Sequence, residues 1–112
     1  GAARSFADAG AKVVAIKMNA RGSLVYIKAT HSFYQVPAYP CAVIDPTGAG
    51  DAFCGGFLAG FLQTGDPVTA ASYGTVSASY VIEHISALRT FCADFSTAPH
   101  RHEHVMRRIM KL

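Results

Sequence analysis

The sequence predicts an α/β protein in which sheet strands come first and packed helices follow. Three observations carry that reading. The first third of the chain holds short apolar runs rich in β-branched and aromatic residues, broken by Asn, Gly and Pro. A glycine turn, "DPTGAG" from Asp45 to Gly50, closes that third. Beyond it, apolar residues recur at helical spacing through two long stretches.

The opening, "AARSFADAGAK", sets Ala3, Phe6 and Ala7 on one helical face, with Ala9-Gly10 as a stop. It lacks an initiator Met and reads as a piece of a longer protein. "KVVAIKM", Lys12 to Met18, suits a buried strand of a parallel sheet. "NARG" is turn chemistry, and "SLVYIKA", Ser23 to Ala29, reads as a second strand hairpinned to the first. "SFYQVPAY", Ser32 to Tyr39, alternates as a third strand, with Pro37 marking an edge or an ending.

The spacing predicts a helix from Ala49 to Gln63, with Phe53, Phe57, Leu58, Phe61 and Leu62 on a broad apolar face. Gly55, Gly56, Ala59 and Gly60 permit close packing. Each such glycine costs about 1 kcal/mol relative to Ala, so burial must hold the helix. "TGDP" ends it and starts the next, with Asp66 as cap and Pro67 in the first turn. The second helix runs from Pro67 to His84, with Val68, Ala71, Thr75, Ala78 and Ile82 on one stripe. A looser segment, Ser86 to Pro99, leads to a last helix, His100 to Lys111, which turns Val105, Met106, Ile109 and Met110 inward.

Composition narrows the function classes. The 112 residues suit one small domain and are 51% apolar, with 7 Phe and 5 Tyr to fill a core. A net charge of +3 is too weak to argue for nucleic acid. No apolar run approaches the ~20 residues that span a bilayer, and the first residues lack signal-peptide order. Cys41, Cys54 and Cys92 are odd in number and lack CxxC spacing, so they read as reduced, mostly buried thiols of a cytoplasmic protein. In "HRHEH", helical spacing points His100, His102 and His104 in different directions, a solvated helix start rather than a metal site. "RHEHVMRRIMKL" reads as a terminal helix with cations near its C-terminal end, where the dipole favours them.

The glycine turn carries the chemistry. A helix start leaves backbone N–H groups unpaired, and with the helix dipole they form a site for an anion. Glycines let phosphate approach those donors, because no Cβ intervenes. "TGAG" before a helix therefore reads as a phosphate cradle, although the Walker A spacing GxxxxGK[ST] is absent. Asp51 falls in the first helical turn, where the positive helix end favours the carboxylate as an anion. Beside a bound γ-phosphate it would accept the proton of an attacking hydroxyl. Asp, Gly and Thr are also ordinary helix caps, and the residue types alone leave both roles open for Asp51.

"DPTGAGDAFCGGFLAG" closely resembles the second signature of the ribokinase, or PfkB, family of carbohydrate and nucleoside kinases. That signature reads Asp-Thr-x-Gly-Ala-Gly-Asp-x-Phe and is followed by a Gly-rich helix. Asp45, Thr47, Gly48, Ala49, Gly50, Asp51 and Phe53 match it, while Pro46 takes a position usually held by Thr. Upstream, "KMNARGSLVY" resembles the family's Thr-Leu-Gly-x-x-Gly element, with Lys17 at the Thr position, Asn19 at the first glycine and Gly22 as the last.

The resemblance implies a partial ribokinase-like (Rossmann-like) fold, with residues 1–112 as the C-terminal portion of a single kinase domain. It implies an ATP-dependent phosphotransferase acting on a hydroxyl of a sugar or nucleoside. Asp51 would be the base, and Gly48, Ala49 and Gly50 would form the anion hole with it. Lys17, Asn19, Gly22, Gly50 and Thr75 would contact the nucleotide. Asp45 and the backbone of Thr47 would hold a monovalent cation, commonly K⁺, and Mg²⁺ would accompany ATP. The upstream sheet, the magnesium-linked motif, most of the acceptor site and the lid through which members often dimerise have no counterpart here. A homodimeric parent and an inactive isolated chain are therefore expected. The alternative is a non-catalytic nucleotide- or anion-binding module, or an interaction protein, derived from such a kinase.

Overall fold

β1 (Val13–Lys17), β2 (Ser23–Ile27) and β3 (Ser32–Val36) form an antiparallel meander, and β4 (Met110–Lys111) pairs with the far side of β3. The computed structural model describes residues 13–17, 22–41, 48–83 and 95–112. The expected opening helix and most of the looser segment after the second helix lie outside these residues. The register pairs Val13 with Ile27, Lys17 with Ser23, and Ser23 with Val36. This corrects the parallel setting expected for the first strand: every described ladder is antiparallel. For β1–β2 and β2–β3 the reason is chain length, since a parallel crossover needs a dozen or more residues and these two connections are hairpin-short.

Between β2 and β3 the chain makes one 3₁₀ turn, Lys28–Thr30, and closes it with His31 at φ 50°. The Tyr26 hydroxyl lies 3.3 Å from His31 Nδ1 across this turn. Period-two alternation gives the sheet two faces. Val25 and Val36 turn toward the helices and join Phe53, Ala71, Val76, Tyr80 and Val105 in the main core. Val14 and Tyr26 lie on the opposite face with Ile16, Leu24 and Phe33.

α1 (Ala49–Thr64) and α2 (Pro67–Ile82) are an antiparallel helical hairpin. α1 stops at Gly65, whose φ of 68° lets its N–H reach the Phe61 carbonyl at 2.8 Å. α2 starts as expected, with the Asp66 carboxylate accepting from the N–H groups of Val68 and Thr69, and it ends two residues earlier than the expected His84. The broad apolar face expected of α1 is buried only in part. Phe53 is 6% exposed, whereas Leu58 is 61% and Leu62 86% exposed. α2 is the main element that the described residues pack on α1, and it covers one side only. Along that side Phe53, Phe57 and Phe61 stack at centroid separations of 6.3 and 6.1 Å.

The last helix, α3 (Ala98–Met106), follows a 3₁₀ turn at Phe95–Thr97. It begins and ends earlier than expected, and Met110–Lys111 is strand rather than helix. The open backbone of β3 explains the change, since Leu112 N–H donates to Phe33 O at 2.8 Å beside the β4 ladder. Val105 is fully buried, Ile109 is half-buried, and Met106 and Met110 stay exposed. Two thiols are less buried than expected, Cys41 half-buried and Cys54 exposed; Cys92 lies outside the described residues.

Arg101 ties α3 to α2. Its guanidinium pairs with Glu83, donates to Ser79 Oγ at 2.9 Å, and lies 4.0 Å from the Tyr80 ring centroid and 4.8 Å from that of Tyr39. Burial works against this charge, and the Glu83 carboxylate together with Tyr80 and Tyr39 more than offsets it. The next residue, His102, stacks on Tyr73 at 4.5 Å and shares a 2.8 Å hydrogen bond with the fully buried Ser72 hydroxyl. Two of the three clustered histidines therefore serve packing, His104 by meeting the Tyr39 ring edge-on at 5.2 Å, while His100 is exposed.

Candidate functional site

The start of α1 is the candidate site, and its geometry follows from Gly48. That residue adopts φ 83°, ψ −4°, a left-handed conformation that glycine takes without steric cost. The turn delivers the chain into the helix at Ala49, and the first helical bond, Ala52 N–H to Gly48 O, closes at 3.0 Å. Gly48 has no side chain to fold back over the first-turn N–H groups, and no side-chain cap is seen there among the described residues, whereas Asp66 caps α2. Asp51 lies in this first turn and is exposed, while Gly48, Ala49 and Gly50 are half-buried. One turn of helix thus brings together four of the residues singled out by the sequence: three that offer backbone donors, and one carboxylate.

The other candidates divide. Lys17 ends β1 opposite Ser23, so its backbone and Gly22 sit at the same end of the β1–β2 hairpin. Gly22 has a steric reason to be glycine. At φ 88°, a Cβ there would stand 2.0 Å from Val36 O, against the end of β3. Thr75 is 7% exposed in the middle of α2, and its hydroxyl donates to Ala71 O at 2.8 Å, so the described structure gives it a place in the core. Asn19, Asp45 and Thr47 lie outside the described residues. Among the described residues, no group of three or more His, Cys, Asp or Glu side chains is placed to hold a metal ion. No helix among them is long and apolar enough to cross a membrane.

The cluster around Arg101 escaped sequence reasoning. Its partners lie 18 and 22 residues away in the chain, with no local spacing to announce them. The half-buried Cys41 belongs to the same neighbourhood, with Sγ 3.9 Å from Ser79 O. Burial pushes its thiol pKa up, Glu83 adds to the rise and Arg101 opposes it. That disfavours the thiolate, and the group is best understood as packing.

Comparison with known proteins places this arrangement. The model of the pfkB family carbohydrate kinases matches residues 2–91. A cytidine kinase from Thermococcus kodakarensis is 48% identical over 60 residues, covering 54% of this chain and 22% of its own length. A 5-dehydro-2-deoxygluconokinase from Listeria monocytogenes is 39% identical over 77 residues, covering 69% of this chain and 23% of its own. The crystal structure of ribokinase from Thermotoga maritima superposes with a TM-score of 0.75 at 25% identity, covering 96% of this chain and 34% of that one. A double mutant of the fructokinase from Vibrio cholerae, solved with fructose, ADP and potassium ion bound, gives 0.68 at 26% identity over 78% of this chain and 29% of its own. The chain thus spans less than a quarter of the length of the two curated relatives. Its α/β architecture, strands followed by packed helices, is that of part of the ribokinase fold.

Proposed function

The chain belongs to the pfkB family of carbohydrate kinases, and from that membership we propose that the whole protein moves the γ-phosphoryl group of ATP to a hydroxyl of a sugar or nucleoside. Residues 1–112 are proposed as the C-terminal portion of a single kinase domain. The observation that carries the reading is the start of α1, where Gly48 offers no side-chain cap to the first-turn donors and Asp51 stands exposed in the same turn.

The chemistry follows from that turn. The γ-phosphoryl oxygens approach the N–H groups of Gly48, Ala49, Gly50 and Asp51, which sum with the helix dipole against the charge of the transferring group. The acceptor hydroxyl lies beside Asp51. As its oxygen forms a bond to the γ-phosphorus and the bond from phosphorus to the ADP oxygen breaks, the hydroxyl proton passes to the Asp51 carboxylate. Lys17, Asn19, Gly22 and Gly50 are the proposed nucleotide contacts, and Asp45 with the Thr47 backbone the proposed ligands of a monovalent cation. Mg²⁺ bound with the nucleotide would neutralise phosphate charge, and the described residues supply no ligand set of their own for it. By this reading the acceptor contacts lie mostly outside the chain, and the 112 residues alone are expected to show no turnover.

The other reading is a non-catalytic nucleotide- or anion-binding module derived from such a kinase. ATP-dependent phosphorylation over a panel of sugars and nucleosides, with the whole protein and its Asp51→Asn variant, separates the two. The kinase reading expects turnover that the variant loses. Undiminished turnover in Asp51→Asn removes the base assignment, and ATP binding with no turnover on any acceptor favours the module.

A further inference from the structure

α1 and α2 touch backbone to backbone just behind the candidate site. Gly74 is buried on α2 and faces α1. A Cβ there would stand 2.7 Å from the main-chain oxygen of Phe53 and 2.9 and 3.0 Å from two carbons of its ring. Gly56 meets the same contact from the other helix, where a Cβ would stand 2.5 Å from Ser77 Oγ, 2.8 Å from Tyr73 O and 3.0 Å from Gly74 Cα. Neither clash has an easy escape. The Phe53 ring is 6% exposed within the main core, and its carbonyl moves only with the helix.

Phe53 lies two residues beyond Asp51, in the turn that continues the Gly48–Ala52 bond. A displacement at Phe53 is therefore passed to the carboxylate and to the first-turn donors. On the opposite side Leu58 and Leu62 are exposed, so among the described residues the depth of α1 is set from the α2 side. We propose that Gly74 is a positioning residue for phosphoryl transfer: by admitting the Phe53 backbone without a Cβ, it fixes where Asp51 and the helix start stand. This inference rests on the reading of Asp51 as base. A methyl group at position 74 must push α1 outward by several tenths of an ångström. Transfer geometry is sensitive on that scale, a 1 Å misplacement costing on the order of a hundredfold in rate.

The test compares Gly74→Ala and Gly56→Ala with the unmodified whole protein, measuring kcat per folded molecule, the KM for ATP and the thermal midpoint. Positioning predicts a fall in kcat of roughly tenfold in Gly74→Ala, with a smaller change in KM, at temperatures where the variant is folded. Gly56→Ala, one turn further from Asp51, should fall in the same direction by less. A purely structural contact would instead lower the thermal midpoint and leave kcat per folded molecule within twofold in both variants, and that result overturns the proposal. So would failure of both variants to fold, since the contact would then serve stability alone. Asp51→Asn run alongside keeps the two ideas apart. Full turnover in that variant removes the base assignment, whereas its loss together with unchanged glycine variants removes only the positioning role.

Discussion

The starts of α1 and α2 solve the same problem in opposite ways. Both helices are 16 residues long and both present N–H groups that need partners. At α2 the Asp66 carboxylate takes the N–H groups of Val68 and Thr69 at 3.2 and 3.4 Å, and the Thr69 hydroxyl at 2.5 Å. At α1 the cap position is a glycine without a side chain, and the carboxylate sits three residues further on, inside the helix and exposed. In one helix the carboxylate caps the start; in the other it stands exposed beside a start that no described side chain caps. The rest of each helix agrees with that division. α2 buries Ala70, Ala71, Ser72, Thr75 and Val76, whereas α1 buries Phe53 and Gly60 and shows much of its length to solvent. The lesson is that α2 is the support and α1 the supported part.

Substitutions at the two aspartates should separate the roles most widely. Asp51→Asn in the whole protein is expected to lower kcat by about 10²- to 10⁴-fold, the range for loss of a general base, with little change in thermal midpoint. Asp66→Ala should do the reverse, costing about 1 kcal/mol in a denaturant titration and leaving kcat per folded molecule within twofold. Between these falls the Arg101–Glu83 pair, whose side chains are 13% and 27% exposed. Arg101→Met should destabilise by about 1–3 kcal/mol, because it strips a largely buried carboxylate of its partner and removes two ring contacts. A cost below about 0.5 kcal/mol, as for surface pairs, would contradict the role of Arg101 in holding α3 on α2.

Acid should loosen the same support. Burial lowers the pKa of His102 from its ordinary 6.5, so the folded state binds its proton less readily than the unfolded chain does. His104 is lowered too, by burial first and then by Arg108 and His100. With folded pKa values below the unfolded ones, stability is complete above pH about 6.5 and declines as pH falls below it. Hydrogen exchange of α3 measured between pH 7 and 5 should show progressive loss of protection, and His102→Asn should flatten that dependence. The smallest effect is expected at Gly55, which is exposed and where a Cβ would meet nothing within 4 Å. Gly55→Ala should stabilise this chain by up to about 1 kcal/mol through helix propensity alone.

The hairpin of helices and its punctuation were legible because their signals are local. Asp66-Pro67, Gly65 and Gly48 each act within a few residues, and the helix ends they mark agree with the structure. The start of the candidate site was legible for the same reason, since Gly48 to Asp51 are contiguous. What sequence reading lost depended on distant partners. Leu58 and Leu62 have the right periodicity for burial, but periodicity does not say whether anything packs there. Met110 and Lys111 continue a helical pattern and become strand because β3 offers a free edge. Ser72 to His102 and Ser79 to Arg101 join helices 30 and 22 residues apart, beyond any spacing rule. Gly74 carries no local signal, because the Phe53 backbone that lies where its Cβ would be is 21 residues away in the chain.

The most direct measurement is the single-turnover rate of γ-phosphoryl transfer in the whole protein and in Asp51→Asn, each saturated with ATP and acceptor, alongside the Kd for ATP. A base at Asp51 predicts that the transfer rate falls at least about a hundredfold while the Kd changes by less than about threefold. A transfer rate unchanged in Asp51→Asn, or a loss wholly accounted for by weaker ATP binding, would contradict the assignment of the helix start as the seat of the chemistry.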